Sequence, residues 1–182
     1  MLRSAGTALT ATLLASALAS PAWADMHIYS YDPATPEARA LTQTGLSFEF
    51  EQHILGGVRV QRIMQTGDRG SAGVRPASDK DLGPGGLRGV LGAERPAGSL
   101  YRISEEEDGP AFVNAVCPGA EHAWLTIGSF RRFNDLTMQS IGKDPGAKSA
   151  RHCATLRFSF RSDWRLPERI PPKVRFVTKV RP

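Results

Sequence analysis

Two stretches of this chain alternate apolar and polar side chains with a period of two. Leu46, Phe48 and Phe50 interleave with Ser47, Glu49 and Glu51; Ala154, Leu156, Phe158 and Phe160 interleave with Thr155, Arg157, Ser159 and Arg161. Side chains two apart share a face only in extended backbone, so neither stretch makes a helical stripe. One apolar face and one charged face mean that each strand rests on a core and meets water on its other side, as in antiparallel sheets. Such strands must bury a common apolar face, in a sandwich or a barrel.

The rest of the chain fits that class. Further strands are expected over 25–32, 58–64, 100–103, 111–117, 121–127, 131–138 and 173–179, with Gly142 to Ala147 as a loop. One short N-terminal helix is expected, with Thr35 as cap, Pro36 in its first position and Gly45 closing it. Residues 67–99, rich in glycine and proline and sparse in apolar side chains, read as a long loop or excursion. The expected fold is therefore mainly β: an antiparallel barrel or sandwich of about eight strands, with one helix and one long Gly/Pro-rich loop. The 18 glycines and 13 prolines of the 182 residues suit a loop-rich β protein better than a helical bundle.

Residues 1–24 set the compartment. Arg3 gives a positive start, Ala5 to Ala19 is an apolar run, and Ala22-Trp23-Ala24 offers small residues where a signal peptidase needs them. The run is shorter than the roughly 20 residues that span a bilayer, and no later stretch approaches that length. The expectation is a cleaved secretory signal over 1–24, with the globular domain at 25–182 in the periplasm or outside the cell. Eighteen arginines against five lysines fit a GC-rich bacterial genome.

In an oxidising compartment Cys117 and Cys153, the only cysteines, are expected to pair. A metal site from Cys117, His122, His152 and Cys153 fits poorly, because adjacent strand residues point to opposite faces. Such a bridge contributes roughly 3–4 kcal/mol in the chain-entropy picture.

Catalytic patterns do not assemble. Ser140-Ile141-Gly142-Lys143 spells S-x-x-K, but Gly142 and Pro145 argue against the helix that this dyad needs, and its companion motifs do not occur. Asp79 to Gly83 lacks the remainder of a calcium loop. The glycines at 83, 85, 86 and 89 follow no strand of a βαβ unit, so no phosphate cradle is expected. His27, His53, His122 and His152 show no ligand-like spacing and read as surface or strand-end residues. No metal and no cofactor are expected.

Charge is the remaining lead. Residues 151–182 carry nine basic and two acidic side chains, against an excess of acid in residues 25–130. Arg157, Arg161, Lys173, Arg175 and Lys179 all have odd numbers, so within each strand they share an outward face. Two readings follow: internal neutralisation, with Glu49 and Glu51 opposite Arg157 and Arg161, or a basic face for an anionic envelope component or acidic protein. Nucleic acid is not expected outside the cytoplasm. The sequence thus favours a secreted, non-enzymatic binding or interaction domain. The alternative is a small envelope hydrolase or modifying enzyme with its site near the 67–99 loop.

Overall fold

The computed structural model describes residues 25–53, 57–65, 70–92, 98–128 and 130–166. The expected signal at 1–24 and the strand expected over 173–179 lie outside the described residues.

Eight strands close into an antiparallel up-and-down barrel: β1 (Asp25–Pro33), β2 (Leu46–Gln52), β3 (Val58–Gln65), β4 (Ser71–Pro76), β5 (Ser99–Ile103), β6 (His122–Ile127), β7 (Leu136–Lys143) and β8 (Arg151–Arg165), with β8 returning to β1. Closure leaves no exposed strand edge. The inward side chains include Tyr29, Tyr31, Phe48, Phe50, Ile63, Leu125, Met138, Leu156 and Phe158, all buried in one continuous cluster. Outward positions include Glu49, Arg59, Arg62, Arg75, Arg102 and Arg157, none of them buried. A barrel facing lipid shows the reverse arrangement, apolar outside and polar within.

Three of the strand pairings contain an extra residue. Phe50 faces Val60 while Glu49 faces Arg62, so Gln61 bulges; the Val60 N–H, left inside the wall, donates to the Tyr101 hydroxyl at 3.4 Å. Cys153 is the extra residue where Ser140 faces Ala154 and Ile141 faces His152. Arg161 is the third, between the pairs Ser30–Ser162 and Tyr31–Phe160. Each bulge shifts which residues of the strand face inward.

The segment 67–99 departs from the expected loop. It supplies β4, then a 3-10 turn (Asp79–Leu82) and, after it, α2 (Gly86–Leu91). Leu82 and Leu87 lie on Leu100, Trp124 and Ile141 of the outer wall, forming a second apolar cluster. That cover explains why β6 buries Trp124 on its outer face as well as Leu125 on its inner one. Gly83 makes the contact possible: its φ is +88°, and a Cβ there would meet the Lys148 carbonyl oxygen. Residues 111–117, expected as a strand, belong instead to the helix α3 (Gly109–Val116), and β7 runs from 136 to 143 rather than 131 to 138.

Helix α1 (Pro36–Thr42) joins β1 to β2; the Thr35 hydroxyl accepts from the Ala38 N–H at 3.3 Å. Helix α3 joins β5 to β6 at the same end of the barrel and sends Phe112, Val113 and Val116 into the main core. Its C-terminal Cys117 is disulfide-bonded to Cys153, with Cα atoms 5.4 Å apart. Gly142 faces that bridge, and a side chain there would collide with the Cys117 sulfur. Arg151 adds a polar clamp, donating to the Pro118 carbonyl at 2.9 Å and to both Asp144 carboxylate oxygens through Nε at 3.0 and 3.2 Å. That guanidinium holds the Asp144 carboxyl below its ordinary range. This end of the barrel is closed.

Candidate functional site at the open end of the barrel

At the other end the interior opens into a cavity of about 670 Å³. Its lining comes from the start of β1 (His27, Tyr29), the β2–β3 hairpin (Phe50, Gln52, Val58), the β6–β7 connection (Phe130, Arg131, Arg132) and the end of β8 (Asp163, Arg165). Strand alternation places His27, Tyr29 and Phe50 inward. Phe130 reaches in from the connection and lies parallel to Phe50, with ring centroids 5.3 Å apart and 16° between planes. The His27 ring also lies parallel to Phe50, at 5.5 Å and 16°, and Tyr29 meets Phe50 edge-on at 4.6 Å. Four rings therefore line the inner part of the cavity in the stacked and edge-on geometries that aromatic quadrupoles favour.

The charged groups arrive through the Arg161 bulge. Before it, even-numbered β8 residues face inward; after it, Asp163 pairs with Tyr29 and Arg165 with His27, so the odd-numbered ones do. Arg132 grips Asp163 with both arms, Nε to Oδ2 at 2.8 Å and Nη2 to Oδ1 at 3.3 Å. Burial raises the Tyr29 phenol above its ordinary value, and the Asp163 charge adds to this; Arg132 and Arg165 act in the opposite direction. These groups thus share one electrostatic neighbourhood around Tyr29. Arg131 and Arg165, both exposed, have no acidic partner among the described residues.

His27 is 6% exposed, and its enclosed Nδ1 has no hydrogen-bond partner. A polar atom left so costs roughly 1–3 kcal/mol unless something satisfies it. Of the expectation of a surface or strand-end residue, its burial removes the first half; it lies near the start of β1. The other three are dispersed: His53 in the β2–β3 connection, His122 at the start of β6 beside Glu105 (3.2 Å), and His152 on β8 with Gln139 (2.8 Å). Ser140 and Lys143 lie on strand β7, three apart and so on opposite faces; the Ser140 hydroxyl donates to the Ala154 carbonyl at 3.2 Å. They form no dyad.

The sequence-derived basic face is only partly within the described residues. Arg157 and Arg161 are exposed on β8, and Arg161 approaches Asp32 of β1 at 3.4 Å. Lys173, Arg175 and Lys179 lie outside the described residues. Glu49 and Glu51 are not opposite Arg157 and Arg161, because β1 stands between β2 and β8. Glu49 has Arg62 of β3 at 3.9 Å instead. The pairing of these arginines with Glu49 and Glu51 is therefore overturned, because register pairs β8 with β1 and β7 alone, and Arg161 meets Asp32 instead.

The cavity was not foreseen from the sequence, since its residues come from four separate segments. The nearest local signal is Phe130-Arg131-Arg132-Phe133, two aromatic residues flanking two arginines, which reads as part of a strand unless the turn residues Asn134-Asp135 are given weight. Comparison with protein-family models, with curated proteins and with solved structures finds no match to this chain.

Proposed function

We propose that this is a secreted or periplasmic binding protein that holds a small molecule in the open end of its barrel and does not transform it. The observation that carries this reading is the aromatic-lined cavity at one end of a closed barrel. An eight-stranded barrel has room for filling side chains or for one small ligand. At about 670 Å³ the cavity falls within the usual size range of small-molecule sites, and it combines aromatic ring faces with convergent polar and charged groups. The secretory character of residues 1–24 and the disulfide support the compartment. Binding is favoured over hydrolysis because Asp163, the cavity's carboxylate, is engaged by Arg132. The 67–99 segment, the place a hydrolytic site would need, forms wall and outer cover in its described parts.

The test is titration with the neutral fluorescent probe N-phenyl-1-naphthylamine. Saturable one-site binding is expected. Val58→Trp, which fills the cavity, abolishes it; Arg157→Ala, on the outer wall, leaves it intact. Absence of saturable binding, or equal binding by Val58→Trp, removes the reading.

A further inference from the structure

We infer that the ligand of the barrel mouth is a flat aromatic ring bearing a single carboxylate, an inference that rests on the binding reading above and gives it a chemical class. Three features of the cavity converge on it. The first is the composition of the wall. His27, Tyr29, Phe50 and Phe130 present ring faces and edges, and Val58 is the sole branched aliphatic among the lining residues. A planar ring extends such a set with offset-stacked and edge-on contacts; a flexible alkyl chain gains only area. The second is charge. Three guanidiniums and one carboxylate line the site, and Arg132 already neutralises Asp163. That leaves Arg131 and Arg165 unpaired at the mouth, in a concave site whose apolar walls focus the field. A guanidinium fork matches a planar carboxylate in shape. Asp163 beside them disfavours a doubly charged group such as a phosphate monoester. The third is the enclosed His27 Nδ1 without a partner, a wall left incompletely satisfied by the protein alone.

The ligand's ring therefore sits against Phe50 and Phe130, and its carboxylate points outward to Arg131 and Arg165. The experiment is calorimetric titration of the oxidised, secreted protein with 2-naphthoate, 2-naphthamide and octanoate, in parallel with the neutral probe. The expected result is 2-naphthoate binding about tenfold or more tighter than either other compound, corresponding to one charge-assisted contact and one ring contact. Arg131→Gln combined with Arg165→Gln abolishes the preference for naphthoate over naphthamide while leaving the naphthamide affinity and the melting temperature in place. Raising salt weakens naphthoate and octanoate and leaves naphthamide unchanged. If naphthamide matches naphthoate, or the arginine variants lose nothing, the anionic half falls and the cavity reading stands. If octanoate matches naphthoate, the aromatic half falls. If none of the three binds while the neutral probe does, the ligand class is wrong. If the neutral probe also fails, the cavity reading fails with it.

Discussion

At the end of the barrel crossed by α1 and α3, a disulfide and the close approach of Gly142 to Cys117 hold the wall against its cap. At the other end, aromatic and charged side chains line an opening. Helix α3, eight residues long, is too short to stand alone and depends on Phe112, Val113 and Val116 in the core and on Cys117 bonded to β8. The mouth has no comparable covalent tie among its described residues. The contrast shows how a small barrel divides its work: stability is concentrated at one end, which frees the other to keep an enclosed ring nitrogen without a partner and two unpaired guanidiniums.

The contrast is broken most severely by Phe158→Ala. Phe158 is fully buried and pairs across to both Leu136 and Pro33, so it fastens the closure of the barrel. A loss of about 3–5 kcal/mol is expected in urea unfolding; a loss under 1 kcal/mol means that β8 does not close the wall. Next comes replacing both Cys117 and Cys153 by Ala, expected to cost about 2–4 kcal/mol. Hydrogen exchange should quicken in α3 and stay unchanged at His27 and Tyr29; uniform quickening contradicts the division between the ends. Phe130→Ala, at the half-buried ring of the mouth, should cost about 1–3 kcal/mol and weaken probe binding, with α3 exchange unaltered.

Alkaline pH sharpens the comparison further. Burial, with Tyr29 and Asp135 adding to it, pushes the Tyr31 phenol well above its ordinary value of 10.0. The unfolded phenol ionises first, so the stabilisation is fully present below about pH 10 and is lost as pH rises towards the folded value. Tyr31→Phe should flatten that alkaline decline, read as unfolding free energy against pH; an unchanged slope assigns the decline to other groups. The smallest effect is expected from His27→Phe, which removes an unsatisfied polar atom and keeps the stacking ring. Stability should rise by about 1 kcal/mol. A loss beyond about 2 kcal/mol shows that the imidazole has a protein partner after all.

Strands whose two faces meet different surroundings were legible in the sequence. In most of β2 and of β8, polar residues meet water and apolar ones the core, so composition reports geometry directly; the exception in β2 is Ser47, buried against the Ser30 hydroxyl. Where both faces are covered, that report fails: β6 is buried from Ala123 to Ile127, with Leu82 and Leu87 lying over Trp124 on its outer side, and the cover itself reads as loop because α2 needs few apolar residues to reach Trp124. Helix α3 reads as a strand in sequence because Val113 and Val116 are β-branched; the spacing of Phe112, Val113 and Val116 and the start Asp108-Gly109-Pro110 fit a helix equally well, and packing decides. β4 went unread because Ser71 to Pro76 places only Ala72 and Val74 inward, too little contrast to register as alternation. The mouth was hidden for a different reason. Asp163 and Arg165 face inward only because Arg161 is extra, and strict alternation sends them to solvent.

The Arg161 bulge also makes a statement about chain length. Deleting Arg161 would straighten β8 and leave Asp163 and Arg165 aimed at the mouth, because the extra residue is absorbed where it stands and not passed along the strand. The same holds for Gln61 in β3. A one-residue deletion elsewhere in these strands exchanges inside for outside along everything that follows, up to the next turn. Relatives of this chain should accordingly differ in length at positions 61 and 161 more freely than anywhere else in the wall, and their ladders should stay in phase across those gaps.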